Sequence, residues 1–416
     1  PIQKRVYANS GKLLERAKKT IPLAAQTFSK SYLQFPEGRL PQFLTHGDGA
    51  YVFDADGNRY VDIVNALLPN ILGYRDPDID DAIRRQLSSG ISFSLATSLE
   101  ADLSERLIKH IPCAEMVRFG KSGTDVTTAA VKLARHVTKY EQILLFDGGY
   151  HGWNQWGHTK RLPINDMSLV EAELQMGFFA AIIIEPEQAT KEFLVGLREL
   201  CTIHDVVLIF DEIISGFRFH MGGIGAMTGV KPDLACLGKS MGNGMPISAL
   251  VGRKDLMQEF DKCFYSGTMF GETLSIAAAI ATIDKLEREN VIEYLTTEGA
   301  RLGQDVRLLV ERSGLHDVIK LKGRGPCVRL SFHDEDPRSG AATKEQIRTL
   351  YMQEMAQAGV LVANCHGISF AHREPELKRI LSAYDYTLGV IGESLLVGDI
   401  EKRIEGNTVV PLVREA

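Results

Sequence analysis

Apolar and polar positions change rhythm along the chain. Between Tyr7 and Lys19 apolar residues recur at helical spacing, which predicts an amphipathic helix, and an irregular loop follows over Ile21 to Pro41. From Phe43 to Val64 the rhythm shortens to an alternation around Asp48-Gly49 and Asp56-Gly57, pairs that suit tight turns between short strands. Beyond Asp76, helical stretches near 77–89 and 97–110 lead into strand-like runs at Met116 to Phe119, Ile143 to Phe146, Ala181 to Ile184, Val206 to Phe210 and Leu234 to Leu237. Strands that are apolar on both faces, with helical segments between several of them, predict an α/β fold: a mostly parallel sheet covered by helices. Thr97-Ser98-Leu99-Glu100 has the order of a capping box opening the second helix. A long helical pattern runs from Gly271 to about Glu311. From Lys320 onward, strands at Val328 to Phe332 and Val360 to Ala363 alternate with helices near 343–357 and 375–397, which reads as a smaller α+β unit. The expected division is an N-terminal segment, 1–70, packing with the small unit, a large unit, 71–310, and the small unit itself, 311–416.

Composition narrows the class of protein. The 416 residues carry 47 Lys and Arg against 53 Asp and Glu, a net charge of −6, with 44% apolar and 24% charged residues, which suits a globular chain and excludes a disordered tail protein. The charge is spread rather than blocked, so neither nucleic acid nor an anionic membrane is an expected partner. The six cysteines never form a Cys-x-x-Cys pair and several lie in apolar runs, as in a reducing cytosol. Pro1 to Lys19 lacks the apolar stretch of a signal peptide, and no run of about 18 apolar residues occurs. The expectation is a soluble, cytoplasmic protein with small-molecule partners.

Several segments could carry chemistry. Leu237-Gly238-Lys239-Ser240-Met241-Gly242-Asn243-Gly244 follows a strand, but a nucleotide P-loop needs glycine where Asp233 stands, and the dinucleotide fingerprint needs glycine where Ile247 stands. Lys239 is then either a solvated surface lysine or a Schiff-base lysine. Ser122-Gly123-Thr124 opens a helix after a strand, so its backbone N–H groups and hydroxyls form either an anion cup or an ordinary N-cap. Asp211 and Glu212 end a buried strand, where a carboxylate needs a cation or strong donor; a structural ion pair is the alternative to a ligand site. Tyr150 and His151 place rings on a glycine-framed loop, and His151 and His158 lack a third ligand at metal spacing, so no metal is expected. Together these segments supply what pyridoxal phosphate requires: an amine for its aldehyde, a cup for its phosphate, a carboxylate for its ring nitrogen and a flat ring to stack on.

At this point the chain, from about residue 5 to 395, resembles class III pyridoxal phosphate aminotransferases of fold type I, nearest the glutamate-1-semialdehyde aminomutase subgroup. The shared motifs are Asp56-Gly57-Asn58-Arg59-Tyr60-Val61-Asp62, Ser122-Gly123-Thr124-Asp125, Tyr150-His151-Gly152, Glu185-Pro186, Phe210-Asp211-Glu212, Gly216-Phe217-Arg218, Lys231-Pro232-Asp233 and Leu237-Gly238-Lys239. The resemblance implies that Lys239 is the Schiff-base lysine and proton carrier, that Asp211 partners the pyridine nitrogen, that Ser122, Gly123 and Thr124 hold the phosphate, and that Tyr150 and His151 lie at the ring face. It also implies a homodimer in which Thr268, within Ser266-Gly267-Thr268, reaches the neighbouring subunit's phosphate.

Other positions depart from the aminomutase pattern. Lys30 replaces an expected carboxylate-binding arginine, which loses a bidentate clamp. Leu67 stands where the aminomutase has Trp, Gly271-Glu272-Thr273 replaces Gly-Asn-Pro, the segment after Glu185-Pro186 is shortened, and no glutamate matches near Cys365 and His366. These losses point to an aminotransferase that takes its amino group from a donor such as glutamate. Its carbonyl acceptor is open: Trp153, Trp156, His158, Lys160 and Arg161 would suit a polar or sugar-like one, and an exposed loop explains them equally. The alternatives are the aminomutase itself and a catalytically silent binding protein on the same fold.

Overall fold

A computed structural model of the chain describes residues 5–335, 340, 342–363 and 365–411. The chain forms two compact units, one of residues 5–67, 72–75 and those from Tyr294 onward, the other of residues 68–71 and 76–293. In chain order the first unit begins with α1 (Ala8–Lys18) and the strands β1 (Leu44–Asp48), β2 (Tyr51–Asp54) and β3 (Arg59–Asp62). The left-handed turn residues Gly49 and Gly57 close the two expected turns.

The second unit runs through α2 (Pro77–Leu87), α3 (Ser98–His110), β4 (Met116–Gly120), α4 (Gly123–Thr138), β5 (Gln142–Phe146), β6 (Thr159–Leu162), α5 (Met167–Met176), β7 (Phe179–Ile184), α6 (Lys191–Ile203) and β8 (Val207–Asp211). It continues with α7 (Gly223–Thr228), β9 (Leu234–Leu237), β10 (Ser248–Gly252), α8 (Lys254–Met257) and α9 (Thr273–Arg288). Its sheet has the order β4-β10-β9-β8-β7-β5-β6, parallel except for β10, which runs antiparallel to both neighbours. The central strands β7, β8 and β9 are buried at every position, as their unbroken apolar sequences require. Small and branched residues of α4, among them Val126, Ala130, Leu133 and Ala134, close on Ile183, Ile209, Cys236 and Leu250 of the sheet. Each fully buried Val, Leu or Ile there contributes roughly 1.5–3 kcal/mol. Glu100 accepts from the Thr97 N–H at 3.1 Å, so the expected box closes the start of α3.

Two strands of this sheet lie outside the sequence expectation. β6 is polar, Thr-Lys-Arg-Leu, because it is an edge strand, where charged side chains discourage further pairing. Lys160 and Arg161 therefore lie on a strand and not on an exposed loop: Lys160 pairs with Glu173 at 2.7 Å, and Arg161 donates to the Phe146 carbonyl at 3.0 Å. β10 is short and follows the glycine-rich turn without a polar break.

The first unit resumes with α10 (Val291–Arg312), which begins in the other unit, and adds β11 (Ile319–Arg324), β12 (Cys327–Phe332), α11 (Lys344–Gln357), β13 (Val360–Leu361), β14 (Cys365–His366) and α12 (Glu374–Val397). β13 pairs in parallel with β3, so residues from both ends of the chain share the sheet β1-β2-β3-β13, while β11, β12 and β14 form another. The side chains of Cys365 and His366, near which the resemblance places a missing glutamate, lie outside the described part. Among the described residues α12 is the one helix long and apolar enough to cross a membrane; here Leu377, Ile380, Tyr384, Leu388 and Ile391 form a buried face, and Tyr384 bonds Tyr351 of α11 at 2.8 Å.

In the larger unit α2 and α9 pack together, and the Lys285 ammonium of α9 meets the Asp76 carboxylate that caps α2 at 2.8 Å, both nearly buried. Lys285→Met leaves that carboxylate buried without its cation, and calorimetric unfolding should show a loss of about 3 kcal/mol. Asp76→Asn combined with Lys285→Met should recover part of it.

Candidate functional site

The site grows from the C-terminal end of β8. Strand alternation sends Asp211 and Glu212 in opposite directions. Asp211 is 3% exposed; its Oδ2 lies 2.8 Å from His151 Nδ1, and its Oδ1 accepts from the Ile213 N–H at 3.2 Å. Glu212, equally buried, accepts from the Ser215 hydroxyl at 2.5 Å and from the Ile224 and Gly225 N–H groups at 2.9 Å each. Burial raises its carboxyl above the usual range, while these donors pull it back. Gly223 takes φ +69, and a Cβ there would fall 2.5 Å from the Glu212 carboxyl carbon, so the turn needs glycine. Among the described residues, Asp211 pairs with an ionisable side chain, while Glu212 accepts from a hydroxyl and two backbone N–H groups. Glu212 anchors the start of α7.

The loop that carries His151 lies against the first turn of α4. Thr127 donates its hydroxyl to the His151 carbonyl at 2.6 Å, and a Cβ on Gly152, at φ +113, would sit 2.7 Å from Thr124 Oγ1. Ser122 is the N-cap of α4: its Oγ accepts from Asp125 N–H at 3.3 Å, and the Asp125 carboxylate accepts from the Lys121 and Ser122 N–H groups at 2.9 and 2.7 Å. The N–H groups of Gly123 and Thr124 have no partner among the described residues. A Cβ on Gly123 would meet Ile213 Cδ1 at 2.6 Å, and Ile213 also lies 3.6 Å from a Cβ built on Gly238. Ile213 thus sits between the expected cup and the expected lysine.

Lys239 follows β9, the strand beside β8, in whose register Asp211 pairs with Cys236. Half-buried, it opens a single turn, Lys239–Gly242, in the left-handed region at φ 39, which a non-glycine residue keeps only where its surroundings hold it. Tyr150 is 46% exposed while its N–H donates to buried Glu185 at 3.1 Å. Lys239, Asp211, His151, Tyr150, Ser122, Gly123 and Thr124 therefore gather at one end of the sheet. Thr268 is exposed in a turn, and none of the described hydrogen bonds joins it to these residues.

Sequence reasoning missed Ile213 and Thr127, ordinary residues whose spacing gives no signal, and the role of Trp156. That ring stacks on His151 with centroids 6.4 Å apart and planes 15° from parallel. It also missed the ion pair of Lys121 with Glu272 at 2.8 Å. Glu272, which replaces the aminomutase Asn, is the N-cap of α9, accepting from the Leu274 and Ser275 N–H groups.

A family model for class III aminotransferases matches residues 33–160 and 154–375. A 3-aminobutyryl-CoA aminotransferase of Cloacimonas acidaminovorans (strain Evry) is 34% identical, over 94% of this chain and 98% of its own length. A glutamate-1-semialdehyde 2,1-aminomutase of Chloroherpeton thalassium is 33% identical, over 90% and 96%. Among solved structures, the pyridoxal phosphate internal aldimine form of the FumI protein of Sphingopyxis sp. MTA144 has a TM-score of 0.83 at 26% identity, covering 93% of this chain and 97% of that one.

The close approach of Gly152 to Thr124 gives a test. Gly152→Ala should weaken pyridoxal phosphate binding to the apoprotein about tenfold or more, read by fluorescence titration. Gly148→Ala, at φ +75 in the same loop but with nothing within 4 Å of the added carbon, should change it far less.

Proposed function

The chain belongs to the class III aminotransferases, enzymes that work with pyridoxal 5′-phosphate, and from that premise we propose that it moves an amino group from a donor such as glutamate to a carbonyl acceptor. The observation that carries the reading is the buried Asp211 and His151 pair one strand from Lys239. The residues fit the cofactor. The unpartnered N–H groups of Gly123 and Thr124 suit its phosphate, and Gly123 and Gly152 leave out side chains for which there is no room.

Bound there, the cofactor supplies an electron-withdrawing ring that stabilises negative charge on the amine-bearing carbon. The chain does the rest. Asp211 holds a proton on the ring nitrogen, because a carboxylate beside it favours the charged form. His151 orients Asp211 through its Nδ1. Lys239 Nζ would hold the cofactor through its aldehyde and would move a proton at the substrate's amine-bearing carbon. Tyr150 offers its exposed ring to the cofactor face. In a homodimer, the exposed Thr268 of each chain completes the other's phosphate cup. A cytoplasmic location suits these small-molecule reactants.

For the acceptor, the 34% identity to a 3-aminobutyryl-CoA aminotransferase favours a carbonyl on the carbon β to a thioester or carboxyl group. Lys30 in place of the clamp arginine fits that reading. A sugar-like acceptor has less behind it, since Lys160 and Arg161 are engaged on β6. The aminomutase stays as a second reading because of the 33% identical relative.

Lys239→Ala should keep pyridoxal phosphate non-covalently while turnover falls by about 10³-fold or more. Borohydride reduction of the parent protein followed by peptide mass spectrometry should find the cofactor on Lys239, and finding it on another lysine refutes the assignment. Glutamate alone should convert the bound cofactor to its amine form, and kinetics with an acceptor should be ping-pong. Faster conversion of glutamate 1-semialdehyde to 5-aminolevulinate than of any glutamate half-reaction would establish the aminomutase instead.

A further inference from the structure

The first turn of α4 collects more charge than an ordinary helix start. Asp125 lies there with its carboxylate on the Lys121 and Ser122 N–H groups, and Lys121, one residue before the N-cap, extends its ammonium 2.8 Å to Glu272. Both partners are largely out of water, at 19% and 12% side-chain exposure, so solvent screens them little. Glu100 adds a further carboxylate, 3.0 Å from a Cβ built on Gly271. Lys121 is thus the one cation these contacts bring to a turn that adjoins the Asp125 and Glu272 carboxylates, with Glu100 beside Gly271.

A turn in that setting is poorly suited to a phosphate dianion unless the balance of charge is controlled. We propose that Lys121 and Glu272 are a charge-setting pair for the phosphate cup. Lys121 makes an anion acceptable at Ser122 to Thr124, and Glu272 limits how strongly it is held. They are positioning residues, acting on the cofactor through the field and placement of the N-cap; neither is a catalytic residue. This inference rests on the reading that this turn holds the cofactor's phosphate.

The pair makes a prediction of opposite signs, which a merely structural salt bridge does not. The apoprotein and its variants are titrated with pyridoxal phosphate and, in parallel, with pyridoxal, which lacks the phosphate. Lys121→Met should weaken pyridoxal phosphate about tenfold and pyridoxal less than about twofold. Glu272→Gln keeps an oxygen to cap α9 but frees the ammonium, and should tighten pyridoxal phosphate about threefold. The double variant should return to within about twofold of the parent. Weaker or unchanged binding in Glu272→Gln, or equal effects on the two ligands, overturns the proposal. If Lys121→Met fails to fold, the sign in Glu272→Gln decides alone. Thr124→Val separates the two levels: if it leaves the ratio of the two affinities unchanged, the phosphate-cup reading fails, whatever the pair does.

Discussion

A carboxylate at the end of a strand buried along its whole length must find a strong donor or lose its charge. Asp211 finds one in His151, and much of the site follows from that pairing. His151 lies on a loop after β5, two strands away, so the loop must cross toward β8. It does so by lying on the first turn of α4, where Thr127 holds the His151 carbonyl and Gly152 passes too close to Thr124 for any side chain. One hydrogen bond to Asp211 thereby fixes the distance between the carboxylate and the helix start that offers unpartnered N–H groups. The neighbouring Glu212 shows the contrast: the same strand end and the same burial, but a hydroxyl and two backbone amides as donors in place of an imidazole.

Much of this was legible in the sequence. Four of the five runs that predict strands, β5, β7, β8 and β9, are interior strands whose burial writes itself as nearly unbroken apolar sequence, while β4 is an edge strand that carries Arg118. Asp211 and Lys239 stand out because charged residues at the ends of such runs are costly without a purpose. What the sequence did not disclose obeys a physical pattern too. β6 is an edge strand whose charges imitate a loop, and β10 follows the glycine turn too closely to separate from it. The division of labour between Asp211 and Glu212 depends on which face of the strand each takes, and therefore on contacts from residues 151 and 224, far from them in sequence.

Ile213 and the Lys121 to Glu272 pair belong to a different category. No motif marks them, because their contribution is to occupy space or balance charge between segments that are themselves marked. Ile213 lies beside both Gly123 and Gly238 without a polar atom in its side chain, and Gly123 is small there because Ile213 is not. Residues of this kind become visible only when the segments they separate are seen together.

The antiparallel strand β10 has a consequence for how the chain can vary in length. Ala249 faces Leu237 on one side and Phe119 on the other, so a single residue gauges both the strand that ends before Lys239 and the strand that ends before Ser122. Ser248 adds a hydroxyl bond to the Ser122 carbonyl at 2.7 Å. An insertion between Lys239 and Ser248 that shifted this register by one residue would turn every side chain of β10 to the opposite face and detach Ser248 from Ser122. The nine-residue passage from Lys239 to Ile247 is thus expected to tolerate exchanges of residue far better than gains or losses of one.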